Sequence, residues 1–339
     1  LNLLSKGGDS PELIDANTPQ VFLSLISLPP TETSLHQASL HQASMFEASV
    51  PEASVPEALL ESCEAWLSEQ ERERIARMSM PAMRERQRLI RLCVRAVLSR
   101  VTGIPPTALQ FTFGPNGKPA LASQPDVAGA KEVDFNISHS GDMLVVACIK
   151  PLSAAGKWHF GVDIERLRPK TDIAAIYRHY FSEPEQRLLE EQDADKQRAT
   201  FFDLWALKES FIKATGRGLA QELKSFGFSF ADAAPSPSNL PQKGNLQLND
   251  VQRWRDAKLS LFGKREEAAQ WAEFDWQSLL INLDAEYRLA LTLGLSGAAL
   301  VDDVKGAGAP KGAKVQDFRL ADIVRITAED AIDLLKAAR

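Results

Sequence analysis

The stretch from Trp66 to Arg100 constrains the chain more than any other. Leu89, Ile90, Cys93, Val94, Val97 and Leu98 recur at three-to-four spacing, which predicts a helix with one buried face. Helix is expected over 61–68 and over 69–101, with a break at Pro81, whose ring removes a helical hydrogen bond. The same stretch holds nine arginines (Arg72, Arg74, Arg77, Arg84, Arg86, Arg88, Arg91, Arg95 and Arg100) against four glutamates (Glu69, Glu71, Glu73 and Glu85). That is +5 inside a chain whose net charge is -6. Such a run is most often a solvated helix face; the alternative reading is an anion site.

Around this helix the pattern alternates. Residues 20–28 read as a strand ended by Pro29-Pro30. Strands are expected at 109–113, 133–137, 143–150 and 159–164, with tight turns at 114–119 (GPNGKP, carrying Lys118) and 138–142. Helices follow at 172–180, 183–191 and 199–215, the last stopped by Gly216 and Gly218. Further strands are expected at 225–230, 259–262, 272–275 and 287–293, and a strand and helix with no evident chemistry within 318–338. Residues 34–58 are five copies of a five-residue unit, from SLHQA to SVPEA. A period of five suits neither helix nor strand, so this is an inserted low-complexity loop. His36 and His41 within it lack accompanying cysteines or carboxylates and are not metal ligands. Residues 231–248 read as a loop and 306–314 as a linker.

Composition excludes several classes. With 339 residues, 44% apolar and 25% charged, the chain suits a soluble globular protein of one large or two ordinary domains. Its negative charge argues against a nucleic-acid partner. No apolar run approaches the ~18 residues of a membrane span, and residues 1–10 lack the pattern of a signal peptide. Cys63, Cys93 and Cys148 are widely spaced and suit buried thiols in a reducing cytoplasm.

Three places carry candidate chemistry. In Val162-Asp163-Ile164-Glu165 a strand would put both carboxylates on one face. Close acids repel unless a cation lies between them, and Mg²⁺ takes such oxygen ligands beside substrate phosphates; an ordinary strand end is the alternative. Trp205, Glu209 and Lys213, four apart, share a helix face, as a routine Glu–Lys pair also would. The segment Asn136-Ile137-Ser138-His139-Ser140-Gly141 offers hydroxyls, amides and an imidazole to phosphate oxygens. A Ser/His nucleophile is the rival reading there, but no GxSxG elbow is present.

Taken in order, FNISHSG (135–141), GVDIE (161–165) and FFDLWALKESFIKATGRGL (201–219) resemble the three signature motifs of the surfactin-synthetase type of 4'-phosphopantetheinyl transferase. The third is long and highly specific, and the resemblance covers roughly 20–293 apart from the repeat. It implies an α+β fold of two similar halves related by a pseudo-two-fold, with coenzyme A in the cleft. The halves would be 20–155, interrupted by the repeat insertion at 31–60, and 156–295. A flexible segment at 1–19 and an extension at 296–339 would lie outside them. It implies that Asp163, Glu165 and Glu209 hold Mg²⁺ and that Lys213 contacts the pyrophosphate. Lys118, Ser138, His139, Arg74, Arg86 and Lys208 complete the expected cofactor-binding set. The catalytic set would be Glu209, Lys213 and Glu185, with the base left open between Glu209, a bound water and Glu185. The family usually has a lysine where this chain has Glu71; Arg72 is expected to stand in for it. The activity implied is transfer of the phosphopantetheine arm of coenzyme A to a serine of an apo-carrier protein, releasing 3',5'-ADP, by a cytoplasmic monomer that binds neither nucleic acid nor membrane. The alternatives from other classes are a non-catalytic carrier- or coenzyme-A-binding module and a metal-dependent coenzyme A phosphohydrolase.

Overall fold

Two five-stranded sheets, each carrying one 22-residue helix, pack face to face. The computed structural model describes residues 20–29, 55–123, 133–149, 157–230, 244–246, 254–263, 265–296 and 319–338. The expectations for 1–19, for the repeat as far as residue 54, for most of the 231–248 loop and for the 306–314 linker fall outside those residues.

The first part of the chain gives β1 (Gln20–Ser27), α1 (Glu57–Cys63), α2 (Glu69–Ala76), α3 (Pro81–Thr102), β2 (Phe111–Phe113), β3 (Pro119–Leu121), β4 (Asp134–Ser140) and β5 (Met143–Ile149). Then come β6 (Trp158–Arg166), α4 (Ile173–Tyr180), α5 (Glu183–Glu190), α6 (Ala194–Thr215) and β7 (Phe226–Phe230). The chain continues with β8 (Gly244–Leu246), β9 (Trp254–Leu261), α7 (Arg265–Ala272), β10 (Phe274–Asn282), β11 (Tyr287–Ser296), β12 (Arg319–Ile326) and α8 (Ala328–Ala337).

The first sheet has the order β4-β5-β1-β12-β8, and the second is β6-β11-β10-β9-β7. Every neighbouring pair in the second sheet is antiparallel. In the first, β1 and β12 run parallel. Leu89, Cys93, Val97 and the other apolar residues of α3 bury against Phe135, Leu144, Val146 and Cys148 of the first sheet. Pro81 sits in the first turn of α3, where its missing N–H costs nothing. The expected break is therefore the gap between two helices. Gly103 (φ 79°) ends α3 and Gly216 (φ 67°) ends α6, both in the left-handed conformation that favours glycine. A shared apolar layer joins the sheets: Val21, Leu23 and Leu25 of β1 and Val145 of β5 pack with Phe160, Val162, Leu289 and Leu291.

Several expectations need correction: the 231–248 loop contains β8 at Gly244–Leu246, and the strand expected at 272–275 starts only after α7 ends at Ala272. The repeat is not loop to its end: α1 begins at Glu57, inside the last SVPEA unit, because Leu59, Leu60 and Cys63 find the α3 core. The strand β4 runs on through Ser138, His139 and Ser140, and the turn is only Gly141-Asp142, since pairing with β5 continues to Ser140–Met143. Nor are residues 319–338, within the extension expected at 296–339, an appendage. β12 pairs with β1, and Ile326, Ala331, Leu334 and Leu335 complete the core under α3. The first half is thus built from both ends of the chain. Among the described residues no helix is long and apolar enough to cross a membrane.

Candidate active site

Strands β4 and β6, from different sheets, meet at the seam between the halves. The period of two puts Asn136, Ser138 and Ser140 on one face of β4, and all three reach β6. Asn136 Oδ1 accepts from the Val162 amide at 3.1 Å. Ser138 Oγ donates to Asp163 Oδ1 at 2.7 Å, and Ser140 Oγ donates to Glu165 Oε2 at 3.0 Å. The two carboxylates of β6 share the face opposite Val162 and Ile164, which are buried in the apolar layer between the sheets.

Helix α6 lies over this seam. Trp205 Nε1 donates to Glu165 Oε1 at 3.2 Å, and Lys213 Nζ donates to Asp163 Oδ1 and to Ser138 Oγ, each at 2.7 Å. The one-in-four helix face expected for Trp205, Glu209 and Lys213 therefore points at the acids of β6. Burial raises the pKa of Asp163, with Lys213 and Ser138 opposing. Burial and then the charge of Asp163 raise that of Glu165, against Arg168. Glu209 is pushed up to about 7 by burial and then by Asp163, with Lys213 opposing and Glu165 adding to the rise.

The charge of Asp163 thus disfavours both Glu165 and Glu209, and Asp163 Oδ2 is buried without a hydrogen-bond partner. Both facts fit a divalent cation with hard oxygen ligands such as Mg²⁺. Among the described residues no three acids, histidines or cysteines are already closed into a metal-gripping group. The Lys213 ammonium instead holds the other oxygen of Asp163.

A cavity of about 290 Å³ opens beside these groups, touching Glu209, Lys213, Lys118, Asn136, Ile137 and Gly216. A second, of about 490 Å³, shares Ile137 and Pro119 with it and is lined farther on by Arg74, Arg91, Phe113 and Trp66. The smaller lies between the halves and the larger wholly within the first, so the two lead from the acids toward the arginine helix.

The remaining expected residues divide. Arg74 stands at this second cavity, its guanidinium 4.9 Å from the Phe113 ring centroid. His139 points away from Ser138, as neighbours on a strand must, so the two do not face one ligand together. Partial desolvation of its ring, then the positive charges of Arg86, Lys213 and Arg91, hold the His139 pKa below the usual imidazole value. Arg86 donates to the Pro29 and Gly141 carbonyls and lies 3.6 Å from Asp142. Lys118 lines the smaller cavity, yet its ammonium donates to the Phe160 carbonyl at 2.8 Å and the Ala214 carbonyl at 3.3 Å, and burial lowers its pKa. It pins the 114–119 turn to β6 and α6.

Glu185 and Lys208 do not belong to the cleft. They form an ion pair of 2.8 Å, with side chains 1% and 0% exposed. Glu185 also accepts from Ser182 and from the Phe228 amide, while Lys208 donates to the Leu223 and Phe226 carbonyls. So enclosed, neither can touch a ligand, and the expected roles of base and cofactor contact are corrected to a structural pair. Arg72 is likewise committed, to Glu69 and the Leu67 carbonyl. Ser140 and Arg91 were not singled out from the sequence. Ser140 had a signal in the N-x-S-x-S alternation; Arg91 had none beyond the arginine count.

Residues 159–291 match the 4'-phosphopantetheinyl transferase superfamily, and residues 56–150 match a family described as 4'-phosphopantetheinyl transferase, N-terminal. A 4'-phosphopantetheinyl transferase of Bacillus subtilis is 33% identical over 179 residues, 52% of this chain and 72% of that one. The transferase Sfp of Bacillus subtilis strain 168 is 34% identical over 173 residues, 47% of this chain and 70% of that one. The human L-aminoadipate-semialdehyde dehydrogenase-phosphopantetheinyl transferase is 29% identical over 209 residues, 60% of each chain. The matched stretch thus spans between 60% and 72% of these relatives' length.

Proposed function

Because the chain belongs to the 4'-phosphopantetheinyl transferase family, we propose that its cleft transfers the phosphopantetheine arm of coenzyme A to a serine of an apo-carrier protein with Mg²⁺ held by Asp163, Glu165 and Glu209. The observation that carries this reading is the seam itself: three carboxylates each raised in pKa, one orphaned carboxylate oxygen and one lysine at the mouth of a cavity. Held by these acids, Mg²⁺ would supply positive charge beside the pyrophosphate as its leaving half departs.

The chain's own groups do the rest. A serine hydroxyl is a poor nucleophile at neutral pH and needs a base within reach. Glu209 has a pKa near that pH and lines the cavity. A carboxylate has two oxygens, so Glu209 can meet the cation with one and take the serine proton with the other. The serine oxygen then bonds to the β-phosphorus, and the bond from that phosphorus to the bridging oxygen breaks. Lys213 uses two of its three N–H groups on Asp163 and Ser138. The third is free to meet the oxygen that leaves with 3',5'-ADP, where negative charge develops. Ser138 and Ser140 hold the acids of β6 in place and touch no reacting atom.

One chain supplies both walls of the cleft, which supports a monomer. The buried free thiols of Cys63, Cys93 and Cys148 support a reducing cytoplasm. The test is mass spectrometry of a panel of apo-carrier proteins incubated with coenzyme A, Mg²⁺ and the purified chain. A phosphopantetheine mass gain on carrier serine is expected. Consumption of coenzyme A without any modified carrier would overturn the reading in favour of a phosphohydrolase.

A further inference from the structure

Ser138 and Ser140 on β4 face Asp163 and Glu165 on β6, serine to acid, with the same period of two on both strands. The two hydroxyls do the same thing one step apart, and each is aimed. Ser138 Oγ accepts from Lys213 Nζ at 2.7 Å, and Ser140 Oγ accepts from the Arg166 amide at 3.1 Å. With that side of each oxygen taken, the hydroxyl hydrogen turns to the carboxylate. Ser138 reaches Asp163 Oδ1 at 2.7 Å and Ser140 reaches Glu165 Oε2 at 3.0 Å.

A second donor lands on the same oxygen in both cases. Lys213 Nζ lies 2.7 Å from Asp163 Oδ1, and the Arg168 guanidinium lies 3.0 Å from Glu165 Oε2. A carboxylate oxygen has two lone pairs, so these two oxygens are full. Each acid has its other oxygen left for a cation. Asp163 Oδ2 is buried without a partner. Among the described residues Glu165 Oε1 carries the Trp205 N–H alone, at 3.2 Å.

Both acids of β6 are thereby restricted to contact through one oxygen. That restriction bears on the choice of ion. Ca²⁺ takes about six to eight oxygens and commonly two from one carboxylate, whereas Mg²⁺ holds to a near-octahedral set and keeps waters in it. We propose that Ser138 and Ser140 determine cation specificity: by filling one oxygen of each β6 carboxylate they deny Ca²⁺ two-oxygen contacts and leave a donor set suited to Mg²⁺. The assignment rests on the cation reading given above and concerns which ion that site accepts. Both serines act through the acids and are positioning residues.

Thermal melts of the full chain with coenzyme A, titrated separately with magnesium chloride and calcium chloride, give an apparent affinity for each ion. In S138A/S140A the ratio of Ca²⁺ to Mg²⁺ affinity is expected to rise by about tenfold or more over wild type, the scale on which partners of metal ligands act. S138T/S140T, which keeps both hydroxyls, is expected to hold the wild-type ratio. Hydroxyls that only stabilise the strands would weaken both ions together when removed. An unchanged ratio in the alanine variant therefore overturns the proposal, as does a threonine variant that shifts as the alanine variant does. If S138A/S140A shows no cooperative melt, S140A alone decides by the same ratio. A wild type stabilised by Mg²⁺ beside a variant of unchanged ratio overturns this proposal alone; a wild type that responds to neither ion overturns the cation reading with it.

Discussion

Gly161 on β6 and Ala214 on α6 pack backbone against backbone. A Cβ on Gly161 would stand 2.9 Å from Ala214 Cα and would also collide with the Ala214 nitrogen and the Ser210 carbonyl. This contact sets the height of the helix that carries Glu209 and Lys213 above the strand that carries Asp163 and Glu165. In G161A the helix must shift. Overpacking of this kind costs about 1–3 kcal/mol, and small misplacement at a reacting centre can lower the rate by about a hundredfold. Urea unfolding and carrier-modification rates, measured on the same sample, are expected to show the rate falling further than the stability.

Replacing Glu209 with Gln removes a cation ligand and a proton acceptor with little change of shape. Carrier modification is expected to fall by about a hundredfold or more. Affinity for coenzyme A, measured by calorimetry, is expected to change far less. An unchanged single-turnover rate would remove Glu209 from the mechanism.

The raised pKa of Glu209 makes two statements about pH, with opposite signs. For activity, the deprotonated form is required, so the rate should rise with pH through about 7 at limiting Mg²⁺. Saturating Mg²⁺, which favours the carboxylate, should move that rise to lower pH. For stability of the metal-free chain, the folded pKa lies above the ordinary glutamate value of 4.5, so folding favours the protonated form. The stabilising contribution is complete below 4.5 and is lost as pH rises through about 7. Thermal melts from pH 4 to 8 are expected to show this decline in wild type and a shallower one in E209Q.

The Lys208–Glu185 pair gives a different pattern. Breaking a buried pair strands the other charge, at a cost of about 3–5 kcal/mol. Lys208→Met should lower the melting temperature strongly. The kcat per folded molecule should stay close to that of wild type, because neither side chain reaches the cleft. A variant that folds as wild type does but has lost turnover would return the pair to the mechanism.

Deleting residues 319–339 tests the closure of the first half. It strips β12 from β1 and uncovers the core under α3 at Ile326, Ala331, Leu334 and Leu335. The truncated chain is expected to bind a hydrophobic dye and to lose cooperative unfolding, where a dispensable extension would leave both unchanged.

The local chemistry was largely legible. The helix over Trp205, Glu209 and Lys213, the strand face of Asp163 and Glu165 and the split at Pro81 all follow from period and propensity, which are properties of near neighbours. Errors fell where a distant partner decided. Ser138–Ser140 reads as a turn until β5 extends the hairpin through it. The SVPEA unit reads as loop until Leu59 and Leu60 meet α3. Residues 319–338 read as part of an extension until β12 finds β1.

The same division holds for the site. The sequence by itself determined which acids and which lysine share a face, because helix and strand periods fix that without any tertiary contact. Only the tertiary structure decided which charged side chains remain available to a ligand. Glu185 and Lys208 look as capable as Glu209 and Lys213 in one dimension. Burial and pairing separate them: a charge already matched in a closed core has no bond left to give, while one held half-desolvated at a cavity wall does.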